Sequence, residues 1–140
     1  MNSVAPWLER SAQSAYGLPL LILRDGEPFG LATNALGSPR VLNGYLLAFF
    51  REPEAATLAL AMYVRHLFWS FPVQRLYTQF PLVGTGAAYL ALYEAAGFQS
   101  EGVLRQHALI AGRPCDVGVL GSLRPEFEQW WSERDGRLAL

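Results

Sequence analysis

The stretch from Ala55 to Val64 constrains this chain more than any other, because Thr57 is the one polar residue in it. It opens as a helix should. Glu52-Pro53-Glu54 places a proline in the first turn, where a missing N–H is tolerated, and two carboxylates at the positive end of the dipole. Leu67 and Phe68 carry the apolar surface on to about Trp69, and Pro72 follows the end. A helix apolar nearly all round has to be covered on more than one side. The run is far short of the ~20 residues a membrane-spanning helix needs, so the cover must come from a sheet, from other helices or from a second chain.

The flanking segments supply the sheet. Leu18–Arg24 reads as a strand, and Asp25-Gly26-Glu27 as a hairpin turn, because Asp-Gly accepts the positive φ a tight turn demands. Phe29–Ala35 is the second strand, Gly37-Ser38-Pro39 the next turn, and Val41–Phe50 the third strand. Beyond the long helix, Arg75–Phe80 is a strand, Gly84-Thr85-Gly86 a turn, and Ala87–Ala96 a helix stopped by Gly97. Phe98–Ile110 and Asp116–Leu123 form a hairpin joined around Gly112-Arg113-Pro114. Arg124-Pro125-Glu126 then starts a closing helix that carries Trp130 and Trp131. The order β-β-β-α-β-α-β-β-α describes an α/β fold: a mixed, mostly antiparallel sheet with helices on both faces.

One domain spanning 1–140 accounts for the length. With 51% hydrophobic and 16% charged residues, the chain has more apolar surface than a small monomer easily hides, which favours a homodimer. The net charge is −1 and the basic residues are scattered rather than striped, so neither nucleic acid nor a membrane surface is an expected partner. Met1–Gly17 lacks the basic and apolar regions of a secretory signal, and Cys115 is alone, so a reducing cytoplasm is the expected compartment. Cys115 has no activating base near it in sequence and reads as a plain strand cysteine. His66 and His107 have no metal-ligand spacing, and no metal is expected.

Three motifs carry a resemblance. Ala91-Leu92-Tyr93-Glu94-Ala95-Ala96-Gly97-Phe98 resembles a helix ending of the type L-Y-E-x-x-G-F. The tail from Gly112-Arg113-Pro114-Cys115-Asp116 to Leu123-Arg124-Pro125-Glu126-Phe127 resembles a G-R-x-x-D…L-R-x-E-[WF] ending, and Gly44-Tyr45-Leu46-Leu47-Ala48 a cofactor-side strand. Together, in this order, they resemble the GNAT superfamily of N-acyltransferases, and in particular its ribosomal-protein-type N-acetyltransferase branch, from Leu18 to about Trp130. The resemblance implies acetyl-CoA or another acyl thioester as donor, and a small-molecule or peptide amine as acceptor. It implies that the donor pairs with the strand end and turn at Ala48, Phe49, Phe50 and Arg51. It makes Tyr93 the general acid that protonates the leaving thiolate.

The chain departs from the family in three places. Where the family has an [QR]-x-x-G-x-[GA] pyrophosphate turn, Arg51–Leu60 holds no glycine, and Glu52, Pro53, Glu54 and Ala55 stand where R-G-x-G is expected. Proline removes a donor, Cβ atoms crowd the phosphate's approach, and two carboxylates repel it. Gly86 and Tyr89 stand where relatives often carry Asn and Ser. Only Met1–Gly17 precedes the first hairpin, enough for one short helix around Pro6–Ser14, so the acceptor site is either wide open or completed by a second subunit.

Other groups have two readings each. Glu27, Glu101 or His107 is either the general base or a surface group. Strand alternation places His107 on the face of Arg105 and Leu109. Gly84-Thr85-Gly86 is either a phosphate cradle or a turn. Trp130 and Trp131, adjacent on a helix, cannot both face the core, which puts one at an interface. Two functions stand beside one another: an amine N-acyltransferase with a non-standard donor site, served by CoA or an acyl-carrier protein, and a non-catalytic module for ligand or partner binding.

Overall fold

The computed structural model describes residues 19–36 and 43–134. Its elements are β1 (Leu20–Arg24), β2 (Glu27–Leu36), β3 (Asn43–Phe50), a 3-10 turn (Pro53–Ala55), α1 (Thr57–Ser70), β4 (Arg75–Pro81), α2 (Gly86–Ala95), β5 (Gln99–Ile110), β6 (Arg113–Leu123) and α3 (Arg124–Arg134). The six strands form one sheet in the order β1-β2-β3-β4-β6-β5, antiparallel except between β3 and β4. Class and element order match the sequence reading. The short helix expected around Pro6–Ser14 and the turn at Gly37-Ser38-Pro39 lie outside the described residues.

Turn chemistry sets both hairpins. Asp25 (φ 53°) and Gly26 (φ 81°) join Arg24 directly to Glu27, as expected. The second turn is shifted from the sequence reading: Ala111 (φ 50°) and Gly112 (φ 76°) make it, while Arg113 and Pro114 already pair with Ile110 and Leu109. A two-residue turn of this type needs positive φ at both centres, which proline cannot adopt. The alternation assumed along β5 also fails. Between the pairs Leu104–Val117 and Ala108–Cys115, one residue of β6, Asp116, faces three of β5, Arg105, Gln106 and His107. Gln106 takes up the slack at φ 49°, its N–H bonded to Asp116 Oδ1 at 2.8 Å, so His107 no longer shares a face by simple parity.

The helix expected to begin at Pro53 is in two pieces. Its first turn is 3-10, closed by Ala55 N to Glu52 O (3.0 Å) and Ala56 N to Pro53 O (3.2 Å), and α1 follows from Thr57. Leu60, Ala61, Tyr63, Val64, Leu67 and Phe68 of α1 are buried in the core, but Met62 and Trp69 remain about half exposed at 52% and 51%. Cover on every side is thus not achieved within the described residues. The closing helix α3 rests on the end of α1: Phe127 lies 5.5 Å from Phe68, and Trp131 lies edge-on to Trp69 at 6.3 Å. Trp130 stacks on Phe127 and abuts Gly97. Both tryptophans are therefore half-buried, each with its ring near that of Phe127. Arg124 fastens this joint by donating to the carbonyls of Phe68, Phe71 (2.8 Å) and Val73 (2.6 Å), which lie at and just beyond the C-terminal end of α1.

The entry to α2 is close-packed. A Cβ on Gly86 would stand 1.6 Å from the carbonyl oxygen of Pro81, a backbone atom that cannot swing aside. Gly86→Ala is expected to cost on the order of 3 kcal/mol, lowering Tm by roughly 10 °C in a thermal denaturation scan. An unchanged Tm would mean that β4 and α2 do not meet so tightly.

Candidate active site

Parallel pairing between β3 and β4 covers just three rungs, Asn43 with Arg75, Gly44 with Leu76 and Tyr45 with Tyr77. Past them the strands diverge. β4 stays with β6 as far as Pro81, and β3 stays with β2 as far as Phe50. The result is a wedge whose β3 wall has lost its ladder partner. Backbone groups alternate sides along a strand, so Ala48 and Phe50 present their N–H and C=O to the wedge while Phe49 pairs with Leu31 of β2.

Two tyrosines one turn apart on α2 face this edge. The Tyr89 hydroxyl accepts from Phe50 N at 3.0 Å and donates to Phe50 O at 3.3 Å, standing in for a missing strand. Its ring stacks on Phe80 (5.1 Å) and meets Phe49 edge-on (5.9 Å). Tyr93 sits deeper and is fully buried, its ring against Phe80 (5.1 Å) and Phe98 (5.0 Å). Its hydroxyl has no hydrogen-bond partner. Burial drives this phenol far above the usual tyrosine range, and the Thr78 hydroxyl and Ala48 backbone moderate the rise without reaching hydrogen-bonding geometry. Tyr93 therefore holds its proton at any physiological pH. The Thr78 hydroxyl, also buried, is likewise unpartnered.

The same core contains a second polar pair. Asn34 on β2 donates to the Tyr63 hydroxyl of α1 at 2.9 Å. Burial pushes Tyr63 up to about 12, the Asn34 bond moderating the shift. An acid whose folded pKa is raised loses stability as pH climbs past its unfolded value, because the unfolded chain ionises first. Stability is therefore expected to be full below pH about 10 and to fall between there and about 12, by about 1.4 kcal/mol per pH unit from Tyr63 alone. Urea titrations at pH 8 and pH 11 measure this. Tyr63→Phe should lessen the alkaline slope, with Tyr93 and Tyr45, also raised by burial, left to contribute in the same direction; an unchanged slope would assign it wholly to those groups.

The anion turn is occupied by its own neighbours. The 3-10 turn uses the N–H groups of Ala55 and Ala56 internally. Both Glu52 oxygens accept from Arg24 at 3.0 Å, so that carboxylate is paired rather than aimed at a ligand. Arg51, exposed, donates to Pro28 O at 3.2 Å. The predicted donor set thus divides: Ala48 and Phe50 border the wedge, Phe49 is 44% exposed, and Arg51 turns towards the start of β2.

The sequence-derived bases are not gathered at Tyr93. Glu101 forms an ion pair with Arg75, and its carboxylate raises the Arg75 pKa. His66, not among those bases, has its Nδ1 3.2 Å from Ser70 Oγ one turn along α1. Glu27 and His107 are exposed, and among the described residues neither is hydrogen-bonded to the wedge. Among the described residues no three His, Cys, Asp or Glu side chains group as metal ligands, and no helix is long and apolar enough to cross a membrane. The residues that sequence reasoning missed are Tyr89 and Thr78. The i, i+4 spacing of Tyr89 and Tyr93 was the available signal for the first. Nothing local marks Thr78, which joins the site only through the β4–β6 pairing.

No family model matches the chain, and no curated protein sequence matches it. Solved structures do. A GCN5-related N-acetyltransferase from Brucella melitensis superimposes with a TM-score of 0.77 at 23% identity, over 96% of this chain and 63% of that one. Mycobacterium smegmatis RimJ in complex with CoA-disulfide gives 0.72 at 23% identity, over 89% and 61%. A spermidine N-acetyltransferase SpeG chimera from Vibrio cholerae and hSSAT gives 0.76 at 14%, over 91% and 82%. The chain spans less than two thirds of the first two. With its diverging parallel strands and the helix laid across them, the chain has the GNAT acetyltransferase fold.

Proposed function

We propose that the protein is an amine N-acyltransferase whose acyl thioester lies in the β3–β4 wedge without the usual pyrophosphate grip. The observation that carries this is the unpartnered phenol of Tyr93, buried beside the edge of β3 at Ala48 that has lost its ladder partner. An amine nitrogen attacks the thioester carbonyl, a C–N bond forms and the C–S bond breaks. The departing thiolate takes its proton from Tyr93, which is restored by the proton lost from the new amide nitrogen. The fold neighbours named for spermidine acetylation and for a CoA complex support the reaction class. A carrier-borne phosphopantetheine, which has no adenosine pyrophosphate, suits a turn whose N–H groups are already used.

One observation favours the second reading, a non-catalytic module. Tyr89 already occupies both backbone groups of Phe50, and its ring fills the wedge mouth against Phe80. Calorimetric titration with acetyl-CoA and with an acylated carrier protein separates the readings. Saturable binding of either, followed by thiol release when an amine is added, supports transfer. No heat and no thermal stabilisation with either donor at millimolar concentration sinks it and leaves the binding module.

A further inference from the structure

Beyond Tyr89 the wedge mouth opens into a cleft of about 660 Å3, bordered by the ends of β3 and β4, the first turn of α2 and the tip of the β5–β6 hairpin. Its walls are largely apolar: Phe49, Phe80, Tyr89 and Ile110 border it, with the buried Cys115. Among the described residues no carboxylate lines it, and Arg113 is the one charged residue at its wall. Among the described residues no ion pair or hydrogen bond holds the Arg113 guanidinium. The position of this arginine follows from the hairpin. Because Ala111-Gly112 make the turn, Arg113 is the first residue of β6 and stands at the cavity instead of in the loop. Helix α2 starts at Gly86 on the same wall, and its positive end reinforces the preference for a negative group.

An apolar chamber with a single cation at its wall selects for one kind of molecule. A polycation finds no counter-charge and is repelled by Arg113. A neutral apolar compound gains burial but no charge-assisted contact with the guanidinium. A carboxylate with an apolar body satisfies both, through a charge-assisted, two-point contact to arginine and burial of the hydrocarbon. We propose that this cavity binds an apolar carboxylate the size of an aromatic amino acid or a medium-chain fatty acid. As the acceptor's pocket it rests on the acyltransfer reading, since a bound α-amino acid would bring its amine to the wedge mouth; the binding itself requires no transfer.

The two sources of that chemistry are separable by titrating the intact protein with L-phenylalanine and with octanoate, with L-phenylalaninamide and spermidine as controls. Saturable binding of either acid, weakened at least tenfold by Arg113→Gln and absent for the amide, supports the site. The acid that binds more tightly identifies the source. Arg113 is exposed, so its replacement leaves the core intact; the amide control tests the carboxylate without any substitution. Slower alkylation of Cys115 by iodoacetamide in the presence of the acid places the ligand in this cavity. Spermidine binding as tightly as the acids, no saturable binding of either acid, affinity indifferent to Arg113→Gln, or alkylation unaffected by the acid would each overturn it. Because no thioester is present, a failure here leaves the transfer reaction to its own test.

Discussion

Tyr93→Phe is expected to reduce thioester turnover about 100-fold while leaving the fold as stable as before, or more so. The two halves of this expectation have different origins. The turnover loss follows from chemistry: a departing thiolate needs a proton donor, and among the described residues Tyr93 is the phenol beside Ala48. The stability half follows from the unpartnered hydroxyl. A buried O–H without a hydrogen bond is a desolvation cost, and removing it restores about 1 kcal/mol, while the phenylalanine ring keeps its contacts with Phe80 and Phe98. Activity and stability would then move in opposite directions, which a merely structural tyrosine does not produce. Free-thiol release under saturating donor and amine gives the first quantity, and thermal denaturation the second. A variant that turns over normally removes Tyr93 from the chemistry.

The contrast between what was readable and what was not has a physical pattern. Element order was readable because each boundary rests on local chemistry: Asp25-Gly26, Pro53, Gly97 and Arg124-Pro125 act within a few residues of themselves. The second hairpin was misplaced by one step, since Gly112-Arg113-Pro114 carries two turn-forming residue types and only backbone φ decides between them. The alternation used for His107 is interrupted at Gln106, whose φ of 49° leaves the strand region, and nothing in the sequence announces that break. Tyr93 was legible from its motif. Tyr89 was seen only as an absent serine, because its role depends on the divergence of β3 from β4. The wedge itself is a tertiary product: three rungs of parallel pairing, then two antiparallel partners pulling the strands apart.

Tyr89→Phe should loosen the free protein and strengthen its hold on the donor. In the free chain the hydroxyl satisfies the N–H and C=O of Phe50, a residue only 7% exposed. Deleting it strands both groups and costs about 1–3 kcal/mol. A pantetheine arm has amide donors and acceptors of its own, and in the wild-type protein it must displace Tyr89 before pairing with that edge. Without the hydroxyl this competition disappears, so affinity for an acyl-pantetheine is expected to rise about tenfold, the equivalent of 1.4 kcal/mol. The ring remains, stacked on Phe80, so the gain reports the lost hydrogen bonds rather than an emptied cavity. Paired measurements decide the matter: urea unfolding of the free variant, and calorimetric titration with an acyl-pantetheine. Lower stability with tighter binding makes Tyr89 a latch that holds the donor edge of β3 until a thioester takes its place. Lower stability with no donor binding in either protein would mean that Tyr89 has permanently closed a site the fold still outlines, and the non-catalytic reading would then stand.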